Sequence, residues 1–189
     1  MKRAVILHGT NASPESNWFP WLKLKLEAEG YRVWVPALPD NDAPNMQKYN
    51  DFLFDSDWDF TDNIVIGHSS GAVAVLNLLM DERCPNIKLG VPVSAWSHGL
   101  PTGYVGNAHD STFPKDGYDF KKIKQKANNL EFIHSNNDPY CPLEQARFLV
   151  NSLEARITVL KTNYGGNADH LGSPLTELPE LWNILERYL

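Results

Sequence analysis

A chain of 189 residues, 42% apolar and 21% charged, has the size and composition of one globular domain, spanning 1–189, and is too short for two. Its 17 Lys and Arg against 23 Asp and Glu give a formal net charge of -6 with no basic cluster, which argues against nucleic acid as the main partner. No apolar run is long enough to cross a bilayer, so membrane insertion is not expected.

The first strand is expected at Arg3–His8. Its apolar part, Ala4–Leu7, is too short for a secretory h-region and no small-residue cleavage site comes after it. The two cysteines, Cys84 and Cys141, are too few for a disulfide framework and lack metal-ligand spacing. A cytoplasmic location is the expectation, with no metal and no cofactor. A helix is expected over Ser16–Glu29, a strand over Arg32–Val35, a helix over Asn45–Asp55 and a strand over Asn63–Gly67. A helix over Ser70–Asp81 and a strand over Leu89–Ser94 come next. Then comes an irregular stretch, Trp96–Asp119, with Gly99, Pro101, Gly103, Gly106, Pro114 and Gly117, long enough to serve as a lid or binding loop. Beyond it the pattern resumes with helix Phe120–Lys126, strand Glu131–His134, helix Leu143–Leu153, strand Arg156–Leu160 and helix Pro174–Tyr188. Strands that are apolar throughout, such as Ala4–Leu7 and Ile64–Ile66, belong to sheets covered on both faces. Their alternation with helices predicts a three-layer α/β/α sandwich around a mostly parallel sheet of about six strands.

The most informative residues are Gly67-His68-Ser69-Ser70-Gly71, set between the apolar run Asn63–Ile66 and the buried-looking helix from Ala72. The pentapeptide alone arises by chance in roughly one chain in twenty of this length. A strand before it and a helix after it make it a nucleophile elbow, a strained turn that raises a serine hydroxyl above the carboxyl edge of a sheet. Ser69 is the expected nucleophile.

Ligands of open α/β sheets gather outside the carboxyl ends of the strands. Those ends deliver His8-Gly9-Thr10-Asn11, the elbow, Ser94-Ala95-Trp96, His134-Ser135-Asn136-Asn137-Asp138-Pro139 and, further on, Gly165-Gly166-Asn167-Ala168-Asp169-His170. A serine needs a base, and the base an orienting acid. With the order nucleophile, acid, histidine along the chain, the only histidine beyond Asp138 is His170. Asp138, in a proline-stiffened loop after a strand, is preferred as the acid over Asp110, Asp116, Asp119 and Asp169. The backbone N–H groups of Thr10 and Ser70 are the expected oxyanion donors. His8 and His68 precede the key turns and are expected to be positioning residues rather than bases. With Trp96 they are also candidates to touch substrate, and Trp18 and Trp21 either help shape an apolar acyl pocket or pack the first helix. The histidines lack metal-ligand spacing, and no phosphate- or dinucleotide-binding glycine pattern occurs.

These residues carry a resemblance. His8-Gly9-Thr10, Asn17-Trp18-Phe19-Pro20-Trp21-Leu22, Pro36-Ala37-Leu38-Pro39, Gly67-His68-Ser69-Ser70-Gly71-Ala72 and His134–Pro139 are similar to the small α/β-hydrolase-fold serine hydrolases related to retinoblastoma-binding protein 9 and bacterial YdeN proteins. The resemblance implies a compact α/β-hydrolase fold without a large cap, and Ser69, Asp138 and the C-terminal histidine as the triad. It further implies a carboxylesterase-like enzyme, acting on a small-molecule ester, thioester or amide through an acyl-enzyme. The family commonly carries its histidine directly after a Gly-Gly pair, whereas His170 is separated from Gly165-Gly166 by Asn167-Ala168-Asp169. Either the longer loop still presents the imidazole, or the scaffold serves as a binding or interaction module with a degenerate triad. No Leu-x-Cys-x-Glu sequence is present, so retinoblastoma-protein binding does not carry over, and no other feature indicates a protein partner.

Overall fold

The computed structural model describes residues 1–97 and 111–189. Six strands, β1 (Arg3–Leu7), β2 (Arg32–Trp34), β3 (Ile64–His68), β4 (Leu89–Val93), β5 (Glu131–Ser135) and β6 (Arg156–Leu160), form one sheet in the order β2-β1-β3-β4-β5-β6. Every pairing is parallel. The helices are α1 (Phe19–Ala28), α2 (Met46–Phe54), α3 (Ser70–Met80), α4 (Phe120–Lys126), α5 (Leu143–Leu153) and α6 (Pro179–Leu185). No helix among the described residues is long and apolar enough to cross a membrane.

The period of two along each strand sends alternate side chains to opposite faces. Val5, Leu7 and Val65 join one apolar cluster with residues of α2, α3, α4 and α5. Ala4, Ile6, Ile64 and Ile66 join a second with residues of α1 and α6. Both faces are therefore covered, which is why β1 and β3 read as continuous apolar runs. Helix α3 lies at the centre of the first layer, with every residue from Ser70 to Leu79 buried, so it is apolar around most of its circumference rather than amphipathic.

Register brings the chemistry to one edge. Leu7 pairs with Gly67, His68 with Val93 and Ser135 with Leu160. The segments after β1, β3, β4 and β5 thus emerge side by side.

Two helices are shorter than their sequence patterns. In α1 the left-handed backbone of Asn17 (φ 53°) breaks the chain before Trp18, and the helix starts at Phe19 with Pro20 in its first turn. The last helix starts at Pro179, not Pro174, behind the extended residue Leu178 (φ -141°). Residues 98–110 of the Trp96–Asp119 stretch, including His98 and His109, fall outside the described residues, and the lid expectation with them. The chain is anchored directly beyond them: the hydroxyls of Ser111 and Thr112 both donate to the Pro44 carbonyl, at 2.8 and 3.1 Å, and Asn77 Nδ2 donates to the Thr112 carbonyl at 2.7 Å.

Candidate active site

Ser69 sits between β3 and α3 with φ 57° and ψ -124°, a conformation costing about 1–3 kcal/mol for a non-glycine residue. The surroundings hold it there. Its N–H donates to the Val93 carbonyl at 3.0 Å, and its carbonyl accepts from Ala72 at 2.8 Å. The turn closes only because Gly67 and Gly71 lack Cβ atoms: one on Gly67 would lie 2.1 Å from the Gly71 carbonyl oxygen, and one on Gly71 2.2 Å from that of Leu7. Gly9 plays the same part on the neighbouring loop, where a Cβ would approach the Ser69 Cβ to 2.9 Å.

The loops after β5 and β6 bring a carboxylate to an imidazole. His170 Nδ1 lies 2.8 Å from Asp138 Oδ2, while Asp138 Oδ1 accepts the N–H groups of Tyr140 and Cys141, each at 2.9 Å. Burial pushes the Asp138 carboxyl upward, but the bond and charge of His170 and the backbone donor of Cys141 outweigh it and hold the pKa below the ordinary carboxylate value. An ionised carboxylate can only accept, so the His170 proton belongs on Nδ1 and Nε2 is left as the basic nitrogen. Asp116 and Asp119 are placed elsewhere, Asp119 capping α4 by accepting from Lys122 N–H at 3.0 Å. Asp110 lies outside the described residues.

Six further hydrogen bonds fix the loop that carries His170. The His170 carbonyl accepts from His68 Nε2 at 2.9 Å and from Ser94 Oγ at 3.0 Å. The buried indole of Trp18 donates to the Leu171 carbonyl at 2.9 Å. The Asp169 carboxylate accepts from the N–H groups of Tyr164 and Gly165, both at 2.9 Å, and from Asn137 Nδ2 at 3.1 Å, tying this loop to the acid's loop. Asp169, an alternative acid in the sequence, is a brace. Gly166–Ala168 form a 3₁₀ turn, with Asp169 N–H donating to the Gly166 carbonyl at 3.2 Å, leading from the glycine pair to His170.

Ser69, His170, Thr10, His68 and Tyr140 line one cavity of about 440 Å³. No hydrogen bond joins Ser69 Oγ to His170 among the described residues; such bonds are commonly loose before substrate binds. The N–H groups of Thr10 and Ser70 have no acceptor among the described residues, and Thr10 Oγ1 donates to Ser70 Oγ at 3.1 Å, linking the two segments that carry them.

The remaining expectations divide. His8 does not line the cavity: it is fully buried, its Nδ1 donates to Gly9 O at 2.9 Å and its Nε2 accepts from Leu38 N–H at 2.9 Å. It shapes the loop after β1. Trp96 is also buried, packed edge-on against Phe113 at 5.7 Å, and is absent from the lining. Trp18 and Trp21 pack α1 against the sheet. The expected apolar acyl pocket is therefore not built from these tryptophans. His68 does form part of the wall, with its Nε2 proton committed to His170, and burial pushes its pKa down to about 3, so it stays neutral.

A model of the family described as serine hydrolase matches residues 4–187. The chain belongs to this serine hydrolase family. It is 27% identical to the YdeN hydrolase of Bacillus subtilis (strain 168) over 190 residues, covering 99% of this chain and 96% of that protein. It is 23% identical to serine hydrolase RBBP9 of Rattus norvegicus over 158 residues, 82% of each. The crystal structure of the B. subtilis ydeN gene product superposes with a TM-score of 0.88, at 24% identity, covering 100% of this chain and 98% of that one. The fold is that of an α/β hydrolase.

In this serine hydrolase, sequence reasoning missed Ser94, Asn137 and Tyr140, whose ring lies edge-on to His170 at 5.3 Å. Only their position after β4 and β5 marked them. Asp138, Cys141 and His170 also offer atoms within 4.8 Å of one another, the one such grouping among the described residues. A metal ion there would have to break the His170–Asp138 hydrogen bond, and burial raises the Cys141 pKa well above the ordinary thiol value, keeping it protonated.

Proposed function

We propose that the protein cleaves a small ester, thioester or amide through an acyl-enzyme on Ser69, as carboxylesterases do. The observation that carries this reading is the 2.8 Å His170–Asp138 bond, formed by an imidazole that shares one cavity with Ser69. As Ser69 Oγ attacks the carbonyl carbon, its proton passes to His170 Nε2, and the imidazolium is stabilised by Asp138. Charge gathers on the former carbonyl oxygen, where the N–H groups of Thr10 and Ser70 receive it; one such donor is worth about 3 kcal/mol in the transition state. His170 then protonates the leaving oxygen, sulfur or nitrogen as its bond to carbon breaks. Water, deprotonated by the same nitrogen, releases the acid and restores Ser69. Each step uses this chain's own groups and water.

Reaction with a fluorophosphonate tests the reading. Stoichiometric labelling, absent in Ser69→Ala and strongly slowed in His170→Ala, is expected. Folded protein that stays unlabelled from neutral to alkaline pH would overturn it in favour of a binding module on a hydrolase scaffold.

A further inference from the structure

The cavity around Ser69 is walled by polar, uncharged groups. Among the described residues, Asn11, Asn17, Asn167 and Ser173 line it, and their side-chain amides and hydroxyl hydrogen-bond to no other described residue. No Lys, Arg, Asp or Glu among the described residues is in the lining, and its carbon-rich walls are Ala12 and the ring of Tyr140. We propose that the site takes small, uncharged esters carrying hydroxyl or amide groups, in preference to fatty acyl esters or substrates bearing a carboxylate. This inference rests on Ser69 being the nucleophile.

Three exclusions lead there. An alkyl chain laid in this cavity would strip water from the amides without replacing their hydrogen bonds, which offsets the gain from burying the chain. A substrate carboxylate would find no cation among the described lining residues to compensate its desolvation. A substrate ammonium would need a free carboxylate, and Asp138 is committed to His170 and two backbone N–H groups. A hydroxyl or amide of the substrate meets both donors and acceptors, because each asparagine side chain offers an NH₂ and a carbonyl. Sites built to bond a polar group discriminate strongly against analogues lacking it.

The test compares matched esters on the purified protein, each kcat/KM divided by the rate of uncatalysed hydroxide hydrolysis. On the acyl side the pair is 4-nitrophenyl butyrate and 3-hydroxybutyrate, with octanoate and hemisuccinate added; on the alcohol side it is propyl acetate and glyceryl monoacetate. The hydroxylated member is expected to lead in at least one pair by roughly tenfold, the worth of one neutral hydrogen bond. Octanoate and hemisuccinate should fall below butyrate. Asn167→Ala, Asn11→Gly and Asn17→Gly then remove the amides singly. Glycine is used at the last two because both residues have left-handed backbone (φ 55° and 53°), which alanine would strain. The hydroxyl preference should shrink at least about threefold in one or more of them. Equal rates within both pairs, a lead for octanoate or hemisuccinate, or a preference untouched by all three variants overturns the substrate class. Fluorophosphonate labelling of the same preparation separates the failures. Labelled protein with the wrong preference, or with no turnover of hydroxylated esters, refutes the class alone; unlabelled, inactive protein refutes the nucleophile and the class together.

Discussion

His170 depends on what holds each of its ends. Its ring is oriented by Asp138 and its carbonyl by His68 and Ser94, so the residue beside Ser69 also positions His170. Asp138→Asn keeps the shape and loses the charge that selects the Nδ1 tautomer; kcat should fall by about 10⁴-fold with little change in folding. His68→Ala removes one of two donors to the His170 carbonyl and should lower kcat by up to about 10²-fold with KM nearly unchanged. His68→Gln, which restores an N–H donor, should recover part of that loss. Equal damage to KM, or no recovery in the glutamine variant, would show that His68 acts by packing alone. Much of this was legible in the chain. Ser69, Asp138 and His170 stood out because each comes after a strand in a particular order. That His68 positions rather than reacts was legible from its place before the turn, but its partner was not, because that is a backbone carbonyl 102 residues away. His8 has the same strand-end position as the useful residues, and only its two backbone contacts, one of them 30 residues distant, show that it turns away from the cavity.

The strand–turn–helix element around Ser69 is held by close approach, while the loop carrying His170 is held by polar ties. Gly71→Ala would drive a Cβ into the Leu7 and His8 carbonyl oxygens, at 2.2 and 2.6 Å, and should cost about 3 kcal/mol or more in urea unfolding. At Gly165 a Cβ meets nothing within 4 Å, yet φ is 87°. Gly165→Ala should therefore cost only the backbone strain of its φ 87°, ψ 145° conformation, about 1–3 kcal/mol. Comparable costs at the two sites would contradict this division. The strands were readable because a sheet covered on both faces needs continuous apolar runs. The last helix was over-read because Leu175, Leu178, Leu181 and Leu185 suit a helical face, while the extended backbone of Leu178 delays the helix until Pro179. Trp96 misled for a similar reason: an aromatic near a strand end suits a pocket wall as well as a core, and burial decides, as it also settles Trp18 and Trp21 on the core side of their two readings.

At the scale of the molecule, three buried histidines link the fold to pH. Burial lowers the pKa of His8, His68 and His134 below the ordinary 6.5, for His68 to about 3. The unfolded chain therefore takes up protons before the folded one as pH drops. The stability these neutral histidines contribute is complete above about pH 6.5 and is lost progressively toward the folded-state values. The urea midpoint should fall as pH goes from 7 to 4, and the slope should be shallower in His68→Gln. A midpoint constant over that range would contradict the neutral, buried state of all three. The central claim, that this fold exists to form an acyl-enzyme on Ser69, is tested most directly by mass spectrometry of protein quenched with acid during turnover of 4-nitrophenyl acetate. The account predicts one acetyl group on the peptide containing Ser69, absent in Ser69→Ala. Acetylation confined to another residue, or turnover undiminished in Ser69→Ala, would contradict it.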